Sequence, residues 1–257
     1  MNLVEAEKIA NNLIDTFIFS GNVSINLRNK GLEKKIKSDN TPVSNGDIEV
    51  NNLLTKKITE LTPNIKIVSE ENLINKDNQN LKDFWLIDPI DGTYDYINGG
   101  DEFTINAALI INKKPIIGVI NAPAKKRLFY SYGLSNCYEV SSNLKKKLTC
   151  EKKSSINEIN AVAYSNKPKP EITEIYKKYK ITNFTRMKSS LKFCVIAAGD
   201  FDFYAAEPRA CEWDIAAGHA ILEHAGGIIT DFNGNEIIYG KKDFKNPSLI
   251  LKSKNIL

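Results

Sequence analysis

The sequence predicts a layered α+β fold in a chain of 257 residues. Three observations indicate it: an amphipathic helical pattern opens the chain, strand patterns dominate residues 103–140, and helices alternate with strands beyond residue 155. The change of pattern places an approximate division near residue 150, and no flexible linker is visible there. We therefore expect residues 1–150 and 151–257 to form two halves of one compact unit.

The elements before residue 75 follow from apolar periodicity. Between Leu3 and Phe17, apolar residues recur at three- and four-residue spacing with polar residues between them, which is typical of an amphipathic helix. The expected order is a helix over Leu3–Phe17, a polar loop over Lys37–Pro42, a helix over Asp47–Ile58 and a strand over Ile65–Val68.

The later elements begin with a polar loop at residues 75–83 and a strand over the apolar run Phe84–Ile87. The elements expected after it, in chain order, are three strands (Phe103–Ile111, Ile116–Asn121, Leu128–Ser131), a fourth strand (Asn160–Tyr164), two helices (Glu171–Lys178, Ser190–Ala198), a strand (Phe201–Ala205), a helix (Trp213–Ala225) and two strands (Ile228–Asp231, Ser248–Leu251).

Composition argues against several classes of protein. The 42% hydrophobic and 26% charged residues are ordinary for a globular chain, and the net charge of +4 is mild. No concentrated basic stripe interleaved with aromatic residues is present, which argues against nucleic-acid binding. No apolar run approaches the ~18–20 residues of a membrane span. The mild positive charge suits a small anionic substrate.

Cysteine usage and the first residues bear on the compartment. The four cysteines are far apart and form neither a zinc-binding pair nor a disulfide framework: Cys137, Cys150, Cys194 and Cys211. The segment from Met1 to Glu5 lacks the basic and apolar regions of a signal peptide. We therefore expect a cytoplasmic protein.

Two carboxylates stand together where the strand over Phe84–Ile87 ends. Asp88 and Asp91 are three positions apart, with Pro89 turning the chain between them and Gly92-Thr93 following. Neighbouring carboxylates repel each other unless a cation or proton lies between them, and carboxylate oxygens suit hard ions such as Mg²⁺. A helical turn opening at Thr93 would present free N–H groups to a phosphate. An ordinary turn with capping aspartates is the structural alternative.

Three further segments carry candidate polar groups. Ser69-Glu70-Glu71 follows another strand, Glu212-Trp213-Asp214 opens a helix rich in small residues, and Asp47 follows a polar loop. Taken singly, each is explained by a solvated acidic helix start or by a helix cap. Read together with Asp88 and Asp91, they indicate a metal and phosphate site.

Together and in this order, these segments resemble the lithium-sensitive, magnesium-dependent inositol monophosphatase superfamily. The resemblance rests on Trp85–Thr93 as the central signature and on Trp213–Gly218, with Ala225–Gly227 beyond, as the second. Within that superfamily, Asp101–Asn106 and Ser189–Cys194 are similar to 3′(2′),5′-bisphosphate nucleotidases of the CysQ type. The resemblance implies an α-β-α-β-α sandwich, the sugar-phosphatase fold.

The resemblance also implies a metal site of two Mg²⁺ ions, or of three with a weaker ion near Glu70. One ion would be bound by Glu70, Asp88 and the carbonyl of Ile90, and the other by Asp88, Asp91 and Asp214. Chemistry agrees, since two ions can stabilise the attacking and leaving oxygens of an in-line displacement.

Catalytic and phosphate-binding roles follow from the same resemblance. Thr93, paired with Asp47, would orient and deprotonate the attacking water, and Glu70 joins them as a catalytic group. The amides of Gly92 and Thr93 would hold the phosphate. Hydrolysis would be direct, because phosphoryl transfer needs positioning and charge neutralisation more than covalent help.

Substrate contacts carry mixed signals. Ser190 and Lys192, and with them Arg209, are implied as contacts of a nucleotide with a second phosphate. Nucleotidases of this type usually carry Gly where Lys188 stands and often Tyr-Pro-Arg where this chain has Tyr204-Ala205-Ala206. Glu207 lies seven residues before Asp214, where inositol monophosphatases place a glutamate that meets the inositol hydroxyls.

Three functions are therefore weighed. The first is a Mg²⁺-dependent phosphomonoesterase that converts adenosine 3′,5′-bisphosphate to AMP and phosphate. The second is a phosphatase of inositol 1-phosphate or a related sugar phosphate, and the third is a non-catalytic protein that binds such a ligand. Expected partners are limited to the small phosphorylated substrate, with no nucleic acid and no membrane; the resemblance leaves monomer and homodimer open.

Overall fold

The structure is a computed structural model that describes residues 1–38, 40–72, 81–142, 144–151 and 158–256. Two helices form its first layer, α1 (Leu3–Lys30) and α2 (Asn45–Leu61). Each begins at a capping box, in which the cap side chain and the acidic third residue bond each other's backbone N–H. Between them lies a small antiparallel pair, β1 (Lys34–Ile36) and β2 (Pro42–Ser44).

A seven-stranded sheet lies under these helices, in the order β3-β4-β5-β6-β7-β8-β9. Its strands are β3 (Lys66–Ser69), β4 (Phe84–Asp91), β5 (Thr104–Ile111), β6 (Lys114–Ala122), β7 (Arg127–Ser131), β8 (Cys137–Ser141) and β9 (Leu144–Lys147), with the short helix α3 (Thr93–Ile97) directly after β4. Strands β3 and β4 are parallel, and every later pair in this sheet is antiparallel.

A second sheet of five strands has the order β11-β10-β12-β14-β13. Its elements, with the helices among them, are β10 (Ala161–Ala163), α4 (Pro170–Lys178), β11 (Phe184–Arg186), α5 (Leu191–Ala197), β12 (Phe203–Ala206), α6 (Glu212–His224), β13 (Ile228–Thr230) and β14 (Leu249–Lys252). Strand β10 pairs in parallel with β11 and β12, whereas β14 is antiparallel to β12 and β13.

Alternation along the strands shows how the layers stack. Trp85 and Ile87 of β4 pack with α1 and α2, while Leu86 faces the other way, toward α5 and α6. On the second sheet, Val162 packs toward α5 and α6 and Ala163 toward α4. The order is helices, sheet, helices, sheet, helix, so the predicted α-β-α-β-α sandwich is confirmed.

The central helix α6 is buried on nearly all sides because it lies between the two sheets. Gly118 of β6 permits this approach: a Cβ atom there would lie 2.4 Å from the carbonyl oxygen of Ala217. The helix also carries Asp214 in its first turn, beside the end of β4. Among the described residues, no helix is both long and apolar enough to cross a membrane.

Most predicted elements are present, and the departures have physical reasons. Helix α1 continues thirteen residues beyond Phe17, to Lys30, and Pro42 belongs to a strand rather than to the predicted loop. The strands missed by periodicity are β1, β2, β8, β9 and β11; every residue of β1 and β9 is exposed, so neither shows an apolar alternation. Within the predicted loops, Asp39 and residues 73–80 lie outside the described part of the chain.

Candidate active site

The site is built at the end of β4. The pairing of β4 with β5 shifts register between Asp88 and Asp91, where Pro89 cannot donate a ladder hydrogen bond. The shift leaves Asp88 only 1% exposed, and its Oδ1 atom has no hydrogen-bond partner among the described residues. A buried carboxylate oxygen without a partner is costly, which marks this position as a ligand site.

Acidic side chains from three elements surround Asp88. Burial, and then the charges of Glu70, Asp91 and Asp214, raise its pKa well above the ordinary value. Burial and the charge of Asp91 raise the pKa of Asp214 to about 8, against a hydrogen bond with Asp88. Burial also raises the pKa of Asp91, although Lys192 opposes the rise. Negative charge is therefore in excess here, as expected where cations bind.

Other groups hold these carboxylates in place. Asp214 accepts a hydrogen bond from the Cys211 N–H at 2.7 Å, Asp91 accepts one from the Ser190 N–H, and Glu70 pairs with Lys37 at 3.1 Å. Within the described ranges, no three His, Cys, Asp or Glu side chains already form a finished metal cage. The oxygen donors and the partnerless Asp88 oxygen fit a hard cation, and the carboxylates would have to turn toward it.

A hydroxyl and a buried carboxylate lie beside this cluster. The Thr93 hydroxyl is 3.1 Å from Oδ1 of Asp47 and 3.0 Å from the carbonyl oxygen of Ile90. The N–H and hydroxyl of Ser44 donate to Oδ2 of Asp47 at 2.7 and 2.6 Å, which fixes the carboxylate at the start of α2. Burial raises the pKa of Asp47, and the hydrogen bonds from Ser44 oppose the rise. The predicted pairing of Asp47 with Thr93 is thus present in the structure.

The predicted phosphate-binding residues, Gly92 and Thr93, lie at the start of α3 and face a cavity. Gly92 has φ 92°, a left-handed conformation that favours glycine and that starts α3 at Thr93. Both residues line a cavity of about 360 Å³, together with Glu70, Asp91, Asp214 and Lys192. Most of the metal and phosphate residues predicted from the sequence therefore border one space.

Two cationic side chains also line this cavity. Lys192 is 5% exposed, and its ammonium group donates to the carbonyl oxygen of Ser189. Burial lowers the pKa of Lys192 to about 8; Asp91 opposes the shift and Arg209 adds to it. The guanidinium of Arg209 lies 3.5 Å from the centroid of the Tyr164 ring. Both predicted substrate-binding cations thus border the cavity.

Ser190 and Glu207 are placed differently. The Ser190 hydroxyl lies 2.8 Å from Oγ1 of Thr104 and 2.8 Å from Oδ1 of Asn106, so it is engaged inside the protein. Glu207 forms an ion pair with Lys169 at 3.0 Å and lines a separate cavity of about 250 Å³. Ser190 positions Asp91 through its backbone N–H and also lines the main cavity, whereas Glu207 does not border that cavity.

Sequence reasoning missed several groups at this site. Lys37 bridges Glu70 and Glu71, and Lys188 pairs with Asp95 of α3. Neither contact is local in sequence, so no spacing rule indicates it. Ser44 was identifiable, because Ser three residues before an acidic residue is a helix-start signature.

Five stacked layers, with buried carboxylates beside an open cavity that Lys192 and Arg209 line, match a phosphomonoesterase of the metal-dependent class. The chain belongs to the inositol monophosphatase family, whose model matches residues 5–256. The resemblance predicted from the two signatures is confirmed.

Named relatives lie within one group of that family. The chain is 34% identical over 221 residues to the 3′(2′),5′-bisphosphate nucleotidase CysQ of Aggregatibacter actinomycetemcomitans, covering 84% of this chain and 82% of the relative. It is 32% identical over 220 residues to the same protein of Salmonella typhimurium, covering 85% and 88%. The crystal structure of CysQ from Bacteroides thetaiotaomicron superposes with a TM-score of 0.76 at 27% identity, covering 96% of this chain and 97% of the other.

Proposed function

We propose that the protein is a Mg²⁺-dependent phosphomonoesterase that removes the 3′-phosphate of adenosine 3′,5′-bisphosphate, giving AMP and phosphate. The observation that carries this proposal is the position of Lys192, a buried cation on the same cavity as Asp91 and Asp214. A substrate with two phosphates can present one to the carboxylate cluster and the other to this cation. The relatives named as bisphosphate nucleotidases support the same substrate class.

The residues proposed to hold the ions are those with hard oxygen donors around Asp88. Glu70, Asp88 and the carbonyl of Ile90 would take one ion, Asp88, Asp91 and Asp214 a second, and Glu70 a third, weaker one. When bound, the ions supply positive charge that neutralises phosphate oxygens and makes water a stronger acid. Each bound ion would also offset the negative charge that contributes to the raised pKa values of Asp88 and Asp214.

The chain's own residues handle water and phosphate. In the reaction the Thr93 hydroxyl is proposed to donate its one hydrogen to Asp47 and not to the Ile90 carbonyl oxygen, which leaves the hydroxyl oxygen free to accept a hydrogen bond from the attacking water. The raised pKa of Asp47 makes it a better proton acceptor than an exposed aspartate. The amides of Gly92 and Thr93 are proposed to orient the reacting phosphate.

An inositol phosphate substrate is not favoured. Its motivation was Glu207, which instead pairs with Lys169 and lines the separate cavity. The non-catalytic alternative is opposed by the complete set of acidic and hydroxyl groups around Asp88. Two observations together would favour that alternative. The Asp91→Asn variant would bind ligand normally, and the wild type would show no metal-dependent turnover.

The experiment is phosphate release with Mg²⁺ from adenosine 3′,5′-bisphosphate and inositol 1-phosphate in parallel. We expect a large preference for the nucleotide. Lys192→Met, which keeps the apolar stem, should lower kcat/KM for the bisphosphate by about tenfold to a hundredfold, the value of one charge-assisted hydrogen bond. Lys56→Met is the control, because Lys56 is exposed on α2 and the charge change is the same.

Two results would contradict the proposal. One is faster release from inositol 1-phosphate than from the bisphosphate. The other is an equal loss of kcat/KM in the Lys192→Met and Lys56→Met variants. That result would mean that Lys192 acts only through the net charge of the protein.

A further inference from the structure

Tyr164 has an unusual position for an aromatic residue of this chain. It follows β10 directly, and its side chain is 44% exposed. It belongs to none of the apolar clusters found among the described residues. Its ring instead contacts cations: Arg209 lies 3.5 Å and Lys192 5.9 Å from the ring centroid. The ring therefore has no core-packing role, and its surroundings are those of a binding site.

A second tyrosine completes the arrangement. The ammonium group of Lys192 lies 5.2 Å from the ring centroid of Tyr204, on the neighbouring strand β12. Aromatic faces attract cations without neutralising them, whereas a carboxylate partner would cancel the charge. Tyr164 and Tyr204 thus hold two cations side by side at one wall of the cavity and leave their charge available.

The other basic residues near the cavity are neutralised. Lys188 pairs with Asp95, and Lys37 pairs with Glu70 and Glu71. Across the described part of the chain, Lys192 and Arg209 form no ion pair with a carboxylate. Two adjacent cations repel each other: after burial, Arg209 lowers the pKa of Lys192, although the charge of Asp91 opposes the shift. An anion placed between them would relieve this repulsion.

We propose that Tyr164 is a positioning residue for the phosphate that does not react: its ring holds the Arg209 guanidinium next to Lys192, so that both cations meet the second phosphate of the substrate. The inference rests on the proposed function. Arg209 is exposed and long, so its free side chain would lose conformational freedom on binding a phosphate. Stacking on Tyr164 removes that freedom beforehand.

The proposal makes Tyr164 a specificity-determining position. A substrate with one phosphate gains nothing from the held arginine, whereas a bisphosphate does. Because Tyr164 contacts neither the carboxylate cluster nor Thr93 in any recorded hydrogen bond or ring contact of the described residues, its loss should leave the chemical step unchanged.

The test compares two substrates and two variants at Tyr164. Adenosine 3′,5′-bisphosphate carries the second phosphate, and adenosine 3′-monophosphate lacks it. We expect Tyr164→Leu to raise KM for the bisphosphate by about two- to fivefold, the value of an exposed cation–π contact, with kcat unchanged. KM for the monophosphate should not change. Tyr164→Phe keeps the ring and should behave as wild type.

A double variant isolates the pair. Arg209→Ala should raise KM for the bisphosphate more than Tyr164→Leu does, and adding Tyr164→Leu to Arg209→Ala should cost nothing further, because the ring then has no arginine to hold. Lys56→Ala removes one positive charge from the exposed face of α2, away from this cavity, and serves as the control. Additive losses in the double variant would overturn the proposal.

Binding separates this proposal from the proposed function. AMP carries only the 5′-phosphate, so we would titrate wild type and each variant with AMP by calorimetry, using adenosine as the control ligand. Weaker AMP binding in Tyr164→Leu and normal binding in Tyr164→Phe would support the role of Tyr164 even if no phosphate were released. Unchanged AMP binding in Tyr164→Leu, or equal weakening of AMP and adenosine, would overturn it.

Discussion

Asp214→Asn should make the metal-free protein more stable while it destroys activity. Asn keeps the oxygen that accepts the Cys211 N–H at 2.7 Å, so the start of α6 is preserved. What changes is the charge: burial, followed by Asp91 and other acidic groups, makes ionisation of Asp214 unfavourable in the folded state. A neutral amide of the same shape removes that cost.

The magnitude follows from linkage. The Asp214 pKa is about 8 in the fold against its ordinary value of 3.8. When the pKa of a carboxyl is higher in the folded than in the unfolded state, its contribution to stability is full below the unfolded-state pKa. This contribution then falls steadily as pH rises toward the folded-state pKa. At pH 7 the loss is roughly three pKa units, or about 4 kcal/mol. Because Asp214 borders the open cavity, solvent screening reduces it, and we expect about 2 kcal/mol.

The assay is urea unfolding of wild type and Asp214→Asn with a chelator, at pH 5, 6 and 7. The advantage of the variant should grow with pH over this interval. Adding Mg²⁺ should stabilise wild type more than the variant, since only wild type has the complete ligand set. Phosphate release by the variant should fall at least about a hundredfold.

Asp243→Asn is the control, because Asp243 is exposed and the charge change is the same. If Asp214→Asn unfolded at lower urea than wild type at pH 7 in chelator, or if its advantage did not depend on pH, the electrostatic argument would be wrong. Either result would mean that the ionised Asp214 carboxylate does not destabilise the metal-free fold.

Two further predictions concern the substrate and the water. Since burial and Arg209 lower the pKa of Lys192 to about 8, its charge is present below that pH and lost above it, so KM for the bisphosphate should rise from pH 8 to 9. KM for adenosine 3′-monophosphate should not follow, and Lys192→Met should remove the difference between the two profiles; parallel profiles would contradict this. Thr93→Val should lower kcat by about 10²–10⁴, the usual contribution of a proton-transfer group, with a small change in KM. Thr93→Ser, which keeps the hydroxyl 3.1 Å from Asp47, should retain most activity, and equal losses in Ser and Val would contradict a role specific to the hydroxyl.

The parts of the site that could be predicted from sequence are those built locally. Asp88, Asp91 and Thr93 fall within six consecutive residues, where a strand ending, a proline and a glycine determine their placement. Asp214 was identifiable because a helix rich in small residues follows it. The same local logic gave nearly every helix and the buried strands, whereas exposed β9, with no apolar alternation, was missed.

Contacts between distant residues were beyond such reasoning. Arg209 and Tyr164 are far apart in the chain and meet only because β10 and β12 are neighbours in the second sheet. The ion pair of Lys188 with Asp95 likewise joins the loop before α5 to α3. For Glu207, spacing from Asp214 suggested the main cavity, but the side chain pairs with Lys169 instead. Spacing along a chain does not determine to which face of a sheet a loop residue turns.

The carboxylate cluster also explains why α6 is packed so closely. Bringing Asp88, Asp91 and Asp214 together without a cation costs free energy, and this cost must be offset elsewhere in the fold. Asp214 is attached to a helix buried between two sheets, with Gly118 allowing contact at a distance that any side chain would prevent. Packing on both faces of α6 contributes hydrophobic free energy. Because Asp214 is part of α6, moving it away from Asp88 and Asp91 would expose this packed surface and lose that free energy. The tight core around α6 therefore holds the charged groups at a spacing that only bound cations make favourable.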